Sequence, residues 1–152
     1  MEQDLSKVEP LVYKSKISVP YFWWAGETAS NFFASLAEKK KILGTKCGKC
    51  GKVFVPPRKT CPQCYQEKTA WVELPCEGEL VTFTVARRKL AAMPKEPPLI
   101  YGLIRLDGAD TALLHMLGEV APKDVKIGMR VAAKFADGAQ KNIMAIEYFR
   151  PI

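Results

Sequence analysis

Four of the five cysteines in this 152-residue chain stand in two Cys-x-x-Cys pairs, within the stretch CGKCGKVFVPPRKTCPQC. Cys47 and Cys50 form the first pair, and Cys61 and Cys64 form the second. A Cys-x-x-Cys turn lets two thiolates reach one metal ion, and two such turns supply the four tetrahedral ligands that zinc prefers. Because four thiolates leave no open position on the ion, we expect one structural zinc per chain, with iron as the alternative metal.

The residues around the cysteines predict a rubredoxin-like zinc ribbon over residues 45–70. Gly48 and Gly51 allow the backbone of the first turn to curl, and Tyr65 stands where the first pair has Gly51. Between the pairs, Val53–Val55 predicts a strand that leads into two prolines. The metal would stabilise a segment that is too small to have a core of its own.

A helical pattern precedes the ribbon, within a first segment of residues 1–44. Residues 1–17 are polar and aperiodic, whereas apolar residues recur at three- and four-residue spacing over residues 20–43. Gly26 is expected to divide this stretch into a short helical turn and a longer helix, giving one helix or a helical hairpin. The run Lys39–Lys41 followed by Gly44 predicts the end of the helix.

Alternating residues after Trp71 predict a third segment, residues 71–152, built from strands. Val81, Phe83 and Val85 alternate with threonines in the first candidate strand. Four further candidates follow at residues 99–106, 111–120, 129–135 and 142–149. Asp-Gly pairs at 107–108 and 137–138 predict hairpin turns, and residues 121–128 allow a helical turn. We therefore predict an α+β fold that is mostly β, ending in a five-stranded OB-fold barrel.

Composition and charge restrict the class of protein. Apolar content of 48% with 26% charged residues is typical of a globular protein, and no stretch is apolar for long enough to cross a membrane. The N-terminus does not resemble a signal peptide, so we expect a cytoplasmic protein whose cysteines are reduced. The formal net charge is +7, and four thiolates (−4) with one zinc ion (+2) would change it to about +5.

The positive charge is concentrated in and before the ribbon. Between residues 39 and 59 there are eight basic residues and no acidic one: Lys39, Lys40, Lys41, Lys46, Lys49, Lys52, Arg58 and Lys59. Such a cluster attracts phosphate groups of nucleic acids or of phosphorylated cofactors. The alternative is that these charges offset the dianionic metal cluster.

The chain alone does not show the residues of a catalyst. Cys76 precedes the first barrel strand and the single histidine, His115, lies inside the third, so we expect two separate packing residues rather than a nucleophile and its base. Glu77 and Glu79 lie at a strand start, and the acidic residues near 107–110 favour a turn. A phosphate-binding glycine loop and a serine nucleophile elbow are both missing from the sequence.

Together, these segments resemble the family of small two-domain proteins with a rubredoxin-like zinc ribbon followed by an acyl-CoA-associated OB-fold. The matching stretches are CGKCGKVFVPPRKTCPQC, WVELPCEGELVTFTV, PKDVKIGMRVAAKF and YFRPI, which extend over roughly residues 20–152. The stretches YFWWAGETASNFF and ILGTKC look most like a bacterial subgroup, the small zinc-ribbon subunits of benzoylsuccinyl-CoA thiolase and similar thiolases.

This resemblance implies a non-catalytic subunit that docks on a thiolase-fold enzyme and helps to bind or position its acyl-CoA, as a required part of an acyl-CoA C-acyltransferase. The catalytic residues would belong to the partner. Coenzyme A carries phosphates suited to Lys and Arg, and its pantetheine arm suits an apolar groove. Candidate phosphate contacts in this chain are Lys46, Lys49, Lys52, Arg58, Lys59, Arg87, Arg88 and Lys89. The alternative for the loop at residues 87–98 is a solvated hairpin connection.

Four consecutive aromatic residues, Tyr21, Phe22, Trp23 and Trp24, are the candidate partner contacts. In a helix they could not all face one small core, because each residue turns by about 100°. Trp and Tyr are favoured anchors in protein interfaces, although packing on the same chain is the alternative.

The rival class is a single-stranded nucleic-acid-binding protein, since a zinc ribbon, an OB-fold and a pI near 9.2 also suit that function. Such binding requires exposed aromatic residues on the second and third barrel strands. Those strands offer Tyr101 and His115 among mostly aliphatic residues. We therefore favour the acyl-CoA enzyme subunit and do not expect a nucleic-acid partner.

Overall fold

The computed structural model describes residues 8–67, 69–91 and 93–152. An α-helix, α1, extends over Glu27–Ala34 and continues as a π-helical turn at Ser35–Lys39. The strands are β1 (Ile42–Cys47), β2 (Val53–Phe54), β3 (Thr69–Leu74), β4 (Glu77–Ala86), β5 (Leu99–Leu106), β6 (Leu113–Leu117), β7 (Arg130–Phe135) and β8 (Ile146–Pro151). A 3₁₀ turn at Ile143–Ala145 precedes β8. The predicted fold class, mostly β with a zinc ribbon and a five-stranded OB-fold, is confirmed.

The helix is shorter than predicted at both ends, and the described residues contain one helix rather than a helical hairpin. Residues 20–26 form no helix, so the helical turn predicted before Gly26 is wrong. At the other end, Lys40 adopts a left-handed conformation (φ 54°) and ends the helical segment, although Gly44 was predicted to do so. Gly44 instead lies inside β1, where an added Cβ would stand 2.9 Å from the Phe54 carbonyl oxygen. This glycine is required by close packing between strands.

The ribbon is a three-stranded antiparallel sheet in the order β2-β1-β3. β1 pairs with β3 along its whole length, from Ile42 opposite Leu74 to Cys47 opposite Thr69. On its other side, Thr45 lies opposite Phe54. The first metal ligand therefore stands at the end of the central strand, which fixes its position.

Strands β4 to β8 form a closed barrel in the order β4-β5-β6-β8-β7. Turns at the predicted Asp-Gly pairs join β5 to β6 and β7 to β8, with Gly108 and Gly138 at positive φ. The longer connection after β6 contains turns rather than a helical turn. Residues 143–145, predicted as part of the last strand, form the 3₁₀ turn instead.

The alternation predicted for the first barrel strand is wrong at one position. The register between β4 and β5 shifts between Leu80 and Thr82, which makes Val81 the extra residue of a β-bulge. Leu80 is therefore fully buried while Val81 is exposed, and Phe83 resumes the inward face. A single inserted residue changes which side of the sheet the preceding side chains face.

One hydrophobic core extends through the helical segment, the inner end of the ribbon and the barrel. Its members include Leu36 from the helical segment, Ile42 and Leu74 from the ribbon, and Ile104 and Phe149 from the barrel. A second, smaller cluster in the ribbon contains Cys47, Phe54 and Cys61. The division of the chain at residues 44–45 and 70–71 stays a prediction.

Candidate metal centre and the surfaces around it

Two turns of the same backbone design hold the predicted metal ligands. In the first, the Gly51 amide donates to the Cys47 carbonyl (3.0 Å), and in the second the Tyr65 amide donates to the Cys61 carbonyl (2.9 Å). Both turns require a positive φ at this residue, 74° for Gly51 and 52° for Tyr65. Tyr65 thus adopts the conformation that glycine provides in the first turn, at a cost of roughly 1–2 kcal/mol for a residue with a Cβ.

The turns bring Cys47, Cys50, Cys61 and Cys64 together, with all four Sγ atoms within 4.8 Å of one another. A tetrahedral ion with zinc–sulfur bonds of about 2.3 Å places its sulfurs about 3.8 Å apart. The Sγ atoms of Cys50 and Cys61 are 3.8 Å apart, so the geometry fits one zinc ion. The four predicted ligands can therefore hold one structural metal.

Hydrogen bonding and desolvation act in opposite directions on these thiols. Backbone amides of Cys50 and then Lys49 stabilise the Cys47 thiolate and lower its pKa to about 7. Desolvation, followed by the neighbouring thiols Cys50 and Cys61, raises the pKa of Cys64 to about 12. Four thiolates this close repel one another unless a cation lies between them, and a divalent metal supplies that charge.

A buried threonine fixes the segment between the two turns. The Thr45 hydroxyl accepts from the Arg58 amide (2.8 Å) and donates to the Arg58 carbonyl (3.0 Å). Thr45 is 2% exposed, so water does not offer its hydroxyl an alternative partner. The Pro-Pro-Arg segment is thereby held against β1, and the exposed Arg58 side chain starts from a fixed backbone position.

A second threonine and an aspartate join the ribbon to the barrel. The Val55 amide donates to the Thr111 hydroxyl (2.8 Å), which donates in turn to the Val55 carbonyl (2.9 Å). The Val53 amide donates to the Asp110 carboxylate (2.8 Å), and the Asp110 amide donates to the Val53 carbonyl (2.9 Å). We call this set of four hydrogen bonds the ribbon–barrel joint; sequence reasoning missed it.

The candidate phosphate contacts form two groups, one on the ribbon and one on the loop after β4. Within the described part of the chain, no ion pair or side-chain hydrogen bond joins the two groups. Lys89 forms an ion pair with Glu96 (Nζ–Oε1 2.6 Å). Because its charge is already paired, Lys89 is a weaker candidate for binding a phosphate. Lys59 lines a depression together with Trp24 and the start of α1. Two of the eight basic residues between positions 39 and 59 also form ion pairs, Lys40 with Asp137 and Lys41 with Glu73. Most of the basic residues of that cluster without a described ion pair therefore lie on the ribbon.

The four consecutive aromatic residues lie on an irregular, exposed segment. From residue 8 to residue 25 every side chain is exposed, and the fractional exposures of Tyr21, Phe22, Trp23 and Trp24 range from 74% to 103%. We call residues 8–25 the arm. Because the arm forms no helix, its aromatic residues belong to no helical stripe, and their side chains are exposed on the described part of the chain.

Cys76 and His115 occupy separate environments. Burial raises the pKa of the half-buried Cys76 thiol, which lies 3.9 Å from the Lys40 carbonyl. His115 is buried inside the barrel, where its Nε2 lies 3.2 Å from the Ile143 carbonyl and its ring contacts Phe149 edge-on. Burial lowers the pKa of His115. A buried ring cannot stack on a nucleobase, which removes one of the two candidates for such a role.

None of the helices in the described ranges is long and apolar enough to span a membrane.

The outer face of β5 and β6 exposes Leu103 and Leu114, which are paired across the two strands. Sequence reasoning treated both as strand residues without assigning their side, although alternation around the inward-facing Ile104 and Leu113 would have placed them outside.

Comparison with known families identifies both parts of the fold. Residues 35–68 match the family described as "ChsH2, rubredoxin-like zinc ribbon domain", and residues 71–136 match "ChsH2, C-terminal OB-fold domain".

Relatives with this pattern occur in archaea and bacteria. A DUF35 domain-containing scaffold protein of Methanocaldococcus jannaschii is 29% identical over 123 residues, which cover 77% of this chain and 86% of the relative. A protein of the same description from Pyrococcus furiosus is 26% identical over 127 residues, or 81% of this chain and 92% of the relative. A probable enoyl-CoA hydratase alpha subunit of Thermomonospora curvata is 23% identical, and the match covers 79% of this chain but 36% of that longer protein.

Solved structures share the fold. The structure titled "Ltp2-ChsH2(DUF35) aldolase" matches with a TM-score of 0.64 and 23% identity, over 85% of this chain and 98% of that chain. A DUF35-family protein of unknown function from Sulfolobus solfataricus matches with a TM-score of 0.58 and 29% identity, over 71% of this chain and 78% of that chain.

Proposed function

Because the chain belongs to the family of proteins that join a ChsH2-type zinc ribbon to a ChsH2-type OB-fold, we propose that it is a non-catalytic accessory subunit of a thiolase-type acyl-CoA enzyme. It docks on the catalytic subunit in the cytoplasm, where the thiols stay reduced. The partner supplies the nucleophile and the base. In this chain Cys76 and His115 are separate packing residues, which supports that division of roles.

The observation that carries the proposal is the exposed aromatic part of the arm. A fully covered aromatic side chain buries about 150–250 Å², so four of them bury about 600–1,000 Å². A standard interface takes about 800 Å² from each partner. Tyr21, Phe22, Trp23 and Trp24 therefore offer enough apolar area for stable association with another protein.

Basic residues on the ribbon support a role toward coenzyme A. The ribbon carries Lys46, Lys49, Lys52, Arg58 and Lys59 close in sequence to the metal ligands. These side chains are exposed or half-buried and belong to none of the described ion pairs, so their charges can act on an external phosphate. Arg87 and Arg88 are the second group of candidates. Lys89 is a weaker one because Glu96 already neutralises it. In the complex, these residues would hold the phosphates of an acyl-CoA whose thioester lies in the catalytic subunit.

We further propose the class of acyl group on which the complex acts. The similarity of YFWWAGETASNFF and ILGTKC to the bacterial thiolase subunits favours an aromatic acyl-CoA, such as benzoylsuccinyl-CoA in anaerobic aromatic degradation. The names of the relatives support the wider class, since one is a probable enoyl-CoA hydratase subunit and one solved structure is an aldolase formed with a ChsH2 chain.

Capture of the tagged chain from an extract of its source cells tests the proposal. We expect an acyl-CoA enzyme of the thiolase fold to co-purify, and Trp23→Ala combined with Trp24→Ala to abolish its recovery while thermal unfolding stays unchanged. The matched control is Ile127→Ala combined with Ile152→Ala, which shortens two exposed apolar residues outside the arm. Recovery of nucleic acid or ribosomal proteins alone would contradict the proposal and support the rival class.

The purified complex then serves to identify the reaction. We expect it to cleave an aromatic 3-oxoacyl-CoA with free coenzyme A, and the catalytic subunit alone to be at least about tenfold less active, because contacts that position a substrate contribute to the rate. Equal activity with and without this chain would show that the chain is not a required subunit.

A further inference from the structure

The outer face of the barrel carries an apolar surface to which the proposed function assigns no role. Leu114 is 60% exposed in the middle of β6, and its cross-strand neighbour Leu103 is also exposed. In the next pair, Tyr101 lies opposite Met116. Large apolar side chains that stand together on a sheet face are typical of protein interaction sites.

Three open depressions meet at this surface, with volumes of about 380, 240 and 400 Å³, and Leu114 lines all three. Leu103, Ile143 and Tyr101 each line two of them. Among the described residues, no lysine, arginine or acidic residue lines any of the three depressions, so the surface does not suit phosphates or a nucleic-acid backbone. We call Tyr101, Leu103, Leu114, Met116 and Ile143 the Leu114 face.

Helix α1 makes the Leu114 face continuous with the arm. Ala29 and Phe33 of α1 line the first depression together with Leu103 and Leu114. The helix begins at Glu27, only three residues after Trp24. A partner that covers the aromatic part of the arm therefore lies next to the Leu114 face.

We propose that the Leu114 face is a second docking surface for the same acyl-CoA enzyme subunit, which covers it with an uncharged apolar surface of its own. This inference rests on the proposed function and adds the barrel to the interface. The arm alone reaches the area of a standard interface, and the Leu114 face adds further apolar area beside it. The longer Thermomonospora curvata relative supports a permanent association, because it carries the matching region within one larger chain.

The test uses the complex of the full-length chain with its captured catalytic subunit. Leu114→Lys places a charge at the centre of the proposed contact, and we expect affinity to fall by about 30-fold or more, as at other interface hot spots. Ile127→Lys is the matched control, because Ile127 is also an exposed apolar residue (66%) and lines none of the three depressions. We expect the control to change affinity by less than about threefold.

The possible outcomes distinguish failure of this inference from failure of the proposed function. If the wild-type chain assembles and Leu114→Lys assembles equally well, the inference is wrong and the proposed function stands. If the wild-type chain binds no acyl-CoA enzyme, the proposed function itself fails. If Leu114→Lys abolishes only self-association of the free chain, the face belongs to a second copy and the inference is overturned. Leu114→Ala provides a second variant in case the lysine prevents folding, with an expected loss of at least about fivefold.

Discussion

At the scale of single residues, the hydroxyl groups of the buried Thr45 and the half-buried Thr111 position the loop that carries the candidate phosphate contacts. Thr45 satisfies both backbone groups of Arg58, and Thr111 does the same for Val55. In each case one side chain replaces the pairing that a neighbouring strand would provide. The Pro-Pro-Arg segment thus stays ordered although it belongs to no sheet.

Thr45→Val keeps the shape of the side chain and removes its hydroxyl, which leaves the Arg58 amide and carbonyl without partners. We expect the free energy of unfolding to fall by about 1–3 kcal/mol, because the two hydrogen bonds of the buried Thr45 hydroxyl are lost and each contributes about 0.5–1.5 kcal/mol. Urea unfolding of the zinc-loaded protein measures the loss. Thr84→Val, at an exposed position of β4, is the control and should stay within about 0.5 kcal/mol of wild type. Equal stability of both variants would contradict the role of Thr45.

The metal ligands could be predicted from sequence, whereas Thr45 and Thr111 could not. Two thiols separated by two residues meet through local geometry alone, so spacing within one turn is sufficient. Thr111 and Val55 are 56 positions apart, and their contact depends on how the ribbon lies on the barrel. The positive φ of Tyr65 was also hard to predict, because tyrosine rarely adopts such a backbone conformation. Only the equivalent position of Gly51 in the first turn indicated it.

At the scale of elements, the strands were easier to predict than the helix. β5 and the two Asp-Gly turns lie where the sequence placed them, since a short apolar run and a turn pair are both local signals. The segment YFWWAG has apolar residues at helical spacing, but the described part of the chain leaves its aromatic side chains exposed, so packing does not stabilise a helix there. Gly44 was mistaken for a helix stop because the sequence does not show the approach of β2 and β3.

Gly78 offers a test of barrel closure. It pairs with Leu106 of β5 and with Val131 of β7, and a Cβ at this position would lie 2.3 Å from the Arg105 carbonyl oxygen. Gly78→Ala must therefore separate strands that close the barrel. We expect a loss of about 1–3 kcal/mol or more in the free energy of unfolding, measured by urea denaturation. A variant as stable as wild type would show that the strands can move apart without cost.

Removal of the metal should unfold the outer part of the ribbon and leave the barrel folded. The small ribbon cluster consists of Cys47, Phe54 and Cys61, so two of its three members are metal ligands. Without the ion these thiols cannot pack together as thiolates, and binding free energy in such sites is folding free energy. Chelation or Cys47→Ser should abolish hydrogen-exchange protection over residues 47–67 while β5 stays protected.

Cys76→Ser is the control for Cys47→Ser, because Cys76 is the fifth cysteine and lies outside the cluster. We expect it to retain the metal and the protection of the ribbon. Full protection of residues 47–67 in the metal-free protein would show that the ribbon does not depend on its ion.

At the scale of the whole molecule, the order of the parts was predicted and their arrangement was not. Each part has its own local pattern, so helix, ribbon and barrel could be recognised in turn. The ribbon–barrel joint, the ion pairs of Lys40 with Asp137 and Glu38 with Lys141, and the shared core all form between distant positions. The first of the three depressions at the Leu114 face likewise forms only where α1 and the Pro-Pro segment lie beside the barrel.

The ribbon–barrel joint predicts that metal binding also stabilises the barrel. Val53 and Val55 donate to Asp110 and Thr111, so an ordered ribbon restrains the turn between β5 and β6. In wild type, chelation should therefore accelerate hydrogen exchange at the β5–β6 turn and lower the barrel melting temperature. Combining Asp110→Ala with Thr111→Val removes the side-chain acceptors, and we expect the metal-dependent shift in melting temperature to fall by about half or more, because coupled sites lose their interaction energy when the contact is removed.

The comparison requires a control that changes similar residues away from the joint. Asp124→Ala combined with Thr84→Val alters an exposed acid and an exposed threonine of the same barrel. This control should keep the full metal-dependent shift, since ribbon and barrel remain hydrogen-bonded. If the joint variant also kept the full shift, coupling would run through the shared core at Ile42, Val55 and Leu74 instead. The size of the shift in the two double variants thus separates a hydrogen-bonded joint from hydrophobic packing as the connection between the metal centre and the barrel.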